Sequence, residues 1–290
     1  MRLNEKRYSQ FIPLESTKTE KSAEMRFLIL GLLAFAAAGN FTPCAEAAIT
    51  LATAGNFAVF AGSTVTNTGP SVIDGGDVGV SPGSSVTGIP PGIIVPPFTI
   101  HAADATALQA QADLTAAYIA AEGLVPTQDL SGQDLGGLTL TAGVYYFSSS
   151  AQLTGTLTLD AEGDPNAEFV FQIGSTLTTA SNSSVVTVNG GLSADCSVFW
   201  QVGSSATLGT ATAFEGHILA LTSITLTTGA TILEGSALAR NGAVTLDTNS
   251  ITNCVPEPAA MTLVVLGATC VGLSSVGRRL IGRLAFARST

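Results

Sequence analysis

The sequence predicts an all-β solenoid of triangular section with one long helix packed along a face. Three observations carry that expectation. Short strand-like segments recur in the C-terminal half, at 20 residues from Val198 to Ile218 and 19 from Ile218 to Ala237. Within each recurrence, apolar and Thr residues alternate as a pleated strand requires. One stretch alone, residues 101–124, is rich in Ala and Leu and free of Gly and Pro until Gly123.

The repeat has three parts. "FVFQIG" (169–174) returns as "VFWQVG" (198–203), "ILALTS" (218–223) and "ALARNG" (237–242). Each is followed by a Thr-rich segment: "STLTTA" (175–180), "SATLGT" (205–210), "SITLTT" (223–228) and "AVTLDT" (243–248). A third short segment follows three of these, as in "ATAFEG" and "ATILEG". Three strands per turn with Gly and Asn at the corners read as a three-walled coil. A β-sandwich or jelly roll is the rival architecture.

On the first wall, Phe169, Val198, Ile218 and Ala237 are expected to point inward, and Val170, Phe199, Leu219 and Leu238 outward. An outward apolar ladder needs cover. The helix, expected over about 101–122, supplies it, with Ala105, Leu108, Ala112, Ala116 and Ile119 at helical spacing on one side. On the second wall, Leu177, Leu208, Leu226 and Leu246 are expected inward. Outward go Thr176, Thr178, Thr207, Thr225, Thr227 and Thr245, in a column broken by Gly209 and Asp247. With coils about 4.8 Å apart and paired threonines about 7 Å apart along a strand, this makes a flat, nearly uncharged grid of hydroxyls and methyls. Such a grid suits a ligand with a periodic, uncharged surface, and ice is one.

Charge placement separates the middle from the ends. Of eleven Lys and Arg, only Arg240 lies between residues 27 and 277. Residues 48–254 carry fifteen acids against that one base, a net charge of −14. Nucleic acid is excluded as a partner, because phosphate contacts need Lys and Arg. Residues 25–48 have a basic start, an apolar run (27–38) and Ala45-Glu46-Ala47, the pattern of a secretory leader. Residues 1–48 are therefore read as a signal region, with Met25 a candidate start. At the other end, Pro256-Glu257-Pro258 precedes an uncharged stretch, 259–277, and then Arg278, Arg279 and Arg283. Nineteen such residues can span a bilayer, with the basic flank cytoplasmic. By length and flanks alone, the 255–290 segment reads as a single-pass anchor. Cys196 and Cys254 are the two cysteines expected to remain once the leader, with Cys44, and the tail, with Cys270, are removed. They form either a disulfide, as an oxidising compartment favours, or two buried thiols.

No catalytic constellation is expected. His101 is read as capping the helix start, and His217 lies in a strand beside Gly216. Asp160, Glu162, Asp164, Asn166 and Glu168, with Asp74 and Asp77, have the oxygen chemistry of a calcium loop. Turn formation calls for the same residues, so neither metal nor cofactor is assigned. Trp200, Tyr145 and Tyr146 are read as packing residues rather than a sugar platform.

The stretches "NFAVFAGSTVTNTGPSVIDGGDVGVSPGSSVTG" (56–88), "ADLTAAYIAA", "GVYYF", "GDPNAEFVFQIGSTLTTASNSSVVTVNGG" and 197–252 resemble the ice-binding-protein-like family over roughly residues 49–254. The resemblance implies a discontinuous right-handed β-solenoid, with residues 49–100 capping one end and the helix inserted between them and the remaining coils. It implies antifreeze-like, non-enzymatic adsorption to ice through the Thr-bearing face. The tail is similar to the PEP-CTERM sorting tags of Gram-negative bacteria, which implies export to the cell envelope and exosortase-type processing. The alternative function is a structural or adhesive protein that applies the same flat face to extracellular polysaccharide.

Overall fold

The computed structural model describes residues 49–190 and 196–254. The segments read above as a signal region (1–48) and as a tail with Pro256, Glu257 and Pro258 (255–290) lie outside the described residues. Among the described residues, twenty-four short strands form three sheets of nine, seven and eight strands, every pair parallel. Successive strands visit the sheets in turn. Phe169–Ile173 lies on the first, Leu177–Thr179 on the second and Ser184–Val188 on the third. Val198–Val202 then returns to the first beside Phe169–Ile173. Three walls and three corners per turn make the triangular coil expected.

The stack is not built in chain order. Phe57–Ala61 pairs on one side with Asp77–Val80 and on the other with Ala237–Ala239, from the last coil. From Phe57 the chain winds outward to Ile100–Ala102, crosses along the helix, restarts at Gln128–Asp129 at the far end and winds back. The first and last coils of the domain are thus neighbours.

The helix runs Ala105–Glu122, shorter at its start than expected. His101 belongs to the strand Ile100–Ala102, and the helix N-cap is Asp104, whose Oδ1 accepts the Ala107 N–H at 2.8 Å. His101 supports the cap rather than forming it, with Nδ1 2.7 Å from Asp104 Oδ2. Eighteen residues give a helix about 27 Å long. Six parallel strands, from the one carrying Val144 to the one carrying Phe60, span about 24 Å, so helix and sheet match in length.

The helix covers the first wall as expected, but with a different stripe. Ala107, Ala110, Leu114, Ala117, Tyr118 and Ala121 are buried against Phe57, Phe60, Val144, Val170, Phe199, Leu219 and Leu238. Leu108 and Ile119 face outward, 64 % and 57 % exposed. Apolar residues encircle this helix, so periodicity selects no face. Polar contacts at its edges do. Asp113 accepts the Thr53 N–H at 3.1 Å, Gln111 Nε2 donates to Arg240 O at 2.6 Å, and the Arg240 guanidinium lies 4.6 Å over the Tyr118 ring. Gln172, buried in the sheet, donates to Ala121 O and Leu124 O and so satisfies carbonyls at the helix end. Gly79 lies beside Phe60, where a Cβ would come within 2.7 Å of both the Phe57 and Phe60 rings.

The interior mixes aliphatic side chains with Phe147, Phe169 and Phe214, and holds an aromatic pile: Tyr145 on Phe171 at 5.4 Å and Phe171 on Trp200 at 3.9 Å. Trp200 is fully buried, its Nε1 donating to Glu215 O at 3.0 Å. Tyr145 packs inside as expected, whereas Tyr146 is 37 % exposed. Ile218 sits beside Trp200 rather than Val198. The two-residue offset preserves which side chains face inward but splits the expected outward ladder: Phe199 neighbours His217, while Leu219 and Leu238 share a column with Gln201.

Candidate functional site: the hydroxyl face

Register on the second wall follows from the first. Ile173 pairs with Val202, and four residues on in each strand Leu177 pairs with Ala206. The expected leucine ladder therefore breaks at its first step: Leu208 does sit beside Leu226, but Leu177 does not sit beside Leu208. The consequence falls on the outer surface. Thr178, not Thr176, lies beside Thr207, and the column continues through Thr225, Thr245, Thr66 and Thr87. Six threonines from six consecutive coils stand in one unbroken row, with Gln152 at the far end.

Two residues earlier along each strand is a second outward column: Ser150, Thr176, Ser205, Ser223, Ala243, Thr64 and Ser85. The grid is thus two columns wide and seven strands long. Neither Gly209 nor Asp247 enters it, because both lie at the following corner. Thr227 is at that corner too, one residue past the strand Ile224–Leu226, and its hydroxyl donates to Leu208 O at 2.8 Å. Thr227 thus flanks the Thr225 column on the side opposite Ser223, and its hydroxyl is committed to the wall.

Hydrogen bonding divides the columns. Thr66, Thr178, Thr207, Thr225 and Thr245 make no side-chain hydrogen bond to any of the described residues. In the flanking column, Ser150 and Thr176 hydroxyls pair at 2.8 Å, Ser205 Oγ accepts the Ser223 N–H, and Ser223 Oγ accepts the Ala243 N–H. The central hydroxyls have free bonding capacity, and the flanking ones brace the wall. Inward neighbours Ala206, Ile224, Leu226, Val244 and Val65 are fully buried or nearly so, which fixes the strands from behind.

The two grid columns contain no ionisable side chain, and the nearest charge stands at the corner. Asp247, just beyond Thr245, accepts the Thr228 hydroxyl, and that bond holds its carboxyl below the usual range. The third wall also carries a column of small residues, Thr156, Ser184, Ala213, Thr231 and Ser250, but the column beside it is mixed. Its outward positions include Val186, Glu215, Leu233, Thr252 and Asp74, with Val186 and Leu233 41 % and 51 % exposed.

The remaining candidate groups fall elsewhere. Cys196 and Cys254 are joined in a disulfide, with Cα atoms 5.6 Å apart. Asp160 Oδ1 accepts the Glu162 N–H and an Asn189 side-chain N–H, Asp164 Oδ1 accepts the Asn166 N–H, and Asp74 Oδ1 accepts the Gly75 N–H. These are turn contacts of the sort Asp side chains make. His217 is wholly buried, stacked on Phe199 at 5.4 Å and bonded to Ser236 Oγ at 2.8 Å. Burial lowers its pKa to about 4.

Sequence reasoning missed Thr64, Thr66, Ser85 and Thr87, because the segments carrying them precede the helix. A signal was present: "STVTN" and "SSVTG" have the same polar-x-Thr spacing as "SITLT".

The profile of a family described as Ice-binding-like matches residues 59–252. An ice-binding protein of Nostoc sp. (strain HG1) is 58 % identical over 256 residues, covering 85 % of this chain and 92 % of that one. An ice-binding protein of Colwellia sp. is 33 % identical, covering 81 % of this chain and 95 % of that one. Among solved structures, an ice-binding protein from an Antarctic biological consortium superposes with a TM-score of 0.67 at 50 % identity, over 72 % of this chain and 92 % of that one. One from the Antarctic ascomycete Antarctomyces psychrotrophicus gives 0.66 at 43 %, over 71 % and 98 %.

Proposed function

This chain belongs to the ice-binding-like family, and we propose that it adsorbs to ice through the second wall of its solenoid, without a chemical step. The observation that carries this is the unbroken column of six threonines, five with uncommitted hydroxyls. Neighbouring threonines stand about 4.8 Å apart across coils, and grid columns about 6.6 Å apart along a strand. Methyl groups exclude loose water while hydroxyls hold ordered water, and the absence of charge leaves that layer free to join a lattice. Because the wall is rigid, ordering it costs little conformational entropy on binding. Bound molecules pin the ice front, which must bulge between them to advance, and growth or recrystallisation is arrested.

Residues 25–48 act as an export leader in this reading, and residues 255–290 as a PEP-CTERM-type signal. The protein is then secreted to the cell envelope and handled by exosortase-type machinery. That tail also supports a second reading, a matrix protein that lays the same face on exopolysaccharide.

The deciding experiment is growth of single ice crystals in the oxidised protein. Faceting and a freezing-point gap that vanish in Thr225→Tyr support ice binding through this wall. Rounded crystals at high concentration, with the fold intact by circular dichroism, would overturn it.

A further inference from the structure

The helix Ala105–Glu122 covers the first wall with one stripe and turns a second apolar stripe outward. Ala105, Leu108, Ala112, Ala116 and Ile119 fall in a single arc centred on Ala112, and all five are exposed. Polar groups bordering the arc are already engaged. Gln109 Nε2 donates to Asp113 Oδ1 at 2.9 Å, Asp113 Oδ2 accepts the Thr53 N–H, and the Thr115 hydroxyl donates to Gln111 O at 2.9 Å. The arc itself carries no charge, in a domain (48–254) of fifteen acids and one base.

The sizes along this stripe are self-complementary. Positions 105 and 119 lie equally far from 112, and so do 108 and 116. Two copies laid antiparallel, with their Ala112 residues in contact, put Leu108 of each against Ala116 of the other. The same register sets Ile119 of each against Ala105 of the other. Every large side chain then meets a small one, as ridge-into-groove packing requires. A two-fold axis through Ala112 makes the contact isologous, the commonest geometry of homodimers. Charge selects the same direction. Antiparallel pairing holds the two Glu122 carboxylates about 30 Å apart and opposes the helix dipoles, whereas parallel pairing sets like charges side by side.

We propose that the outward face of the helix is a homodimer contact, occupied by a second copy of this chain lying antiparallel about Ala112. A footprint of about 27 by 10 Å on each copy falls short of the roughly 1,200 Å² that standing complexes bury. The dimer is therefore transient and forms as concentration rises. Two domains of like net charge repel, so salt, which screens that repulsion, strengthens the pairing. The contact lies over the first wall and takes no residue from the hydroxyl grid, and it does not depend on what the grid binds.

The test uses the full oxidised chain with Cys44→Ser and Cys270→Ser, dispersed in a mild detergent. Sedimentation equilibrium is expected to show a dimer that grows with protein concentration and with added sodium chloride. Leu108→Glu, at an exposed position, should weaken it about tenfold or more with the circular dichroism unchanged. Register is read by mild oxidation. Ala112→Cys is expected to give a covalent dimer. Leu108→Cys alone is not, since its two copies stand about 12 Å apart along the axis, beyond disulfide reach. Leu108→Cys combined with Ala116→Cys should restore the cross-link. A chain that stays monomeric at every concentration and salt overturns the proposal. A dimer indifferent to Leu108→Glu places the contact elsewhere and overturns it too. Equal cross-linking of Leu108→Cys and Ala112→Cys overturns the antiparallel register.

Discussion

Thr66 lies beside Thr245 on the second wall, although nearly the whole domain separates them in sequence. The hydroxyl surface is therefore a product of the closure between first and last coils. It ends where the N-terminal coils end, at Ser85 and Thr87.

That relationship predicts that Thr66→Tyr combined with Thr87→Tyr weakens ice shaping, despite lying outside the obvious repeat. Both residues are partly exposed, so stability should move by no more than about 0.5 kcal/mol. Thermal hysteresis against concentration, beside a melting curve, checks it.

Within the central repeat, Thr207→Tyr or Thr225→Tyr should raise the concentration needed for a given effect by about tenfold or more, equal to about 1.4 kcal/mol. Thr158→Tyr, on the third wall, serves as the control and should leave activity near that of the parent. Equal losses from both walls would show that ice does not select the second.

The helix gives a stability test of its facing. Leu114→Ala removes a fully buried side chain and should cost about 2–5 kcal/mol. Leu108→Ala, on the exposed side, should cost within about 0.5 kcal/mol. Urea midpoints of the two variants separate these outcomes.

His217 predicts a pH dependence. Its folded pKa, about 4, lies below the ordinary 6.5 because burial disfavours the charged ring. Between those values the unfolded chain binds more protons than the folded one. Stability from this group is thus fully present above about pH 6.5 and is lost as pH falls towards 4, by on the order of 3 kcal/mol. Urea melts across that window should show the slope, and His217→Gln should flatten it.

Much of this was legible in the sequence, and the gaps have physical causes. Alternation decided inside from outside correctly for Phe169, Val170, Leu177 and Thr178, because strand parity survives any even shift. Register was less visible. Matching leucines aligned Leu177 with Leu208, whereas backbone pairing carried over from Ile173 and Val202 placed Leu177 beside Ala206. The helix was evident, but its buried face was not, since apolar residues on every side leave the choice to Gln111, Asp113 and Arg240.

The closure between Phe57–Ala61 and Ala237–Ala239 also bears on how the molecule is made. A chain delivered from its N-terminus presents its first coils long before their partner strand exists. Those coils must wait with a bare sheet edge until the last turn arrives, and contacts of such high sequence separation form slowly. Completion of the first coils is thereby deferred until residues 237–239 are available to pair with them. Chains truncated before residue 237 should remain protease-sensitive throughout residues 57–102, while the complete domain resists.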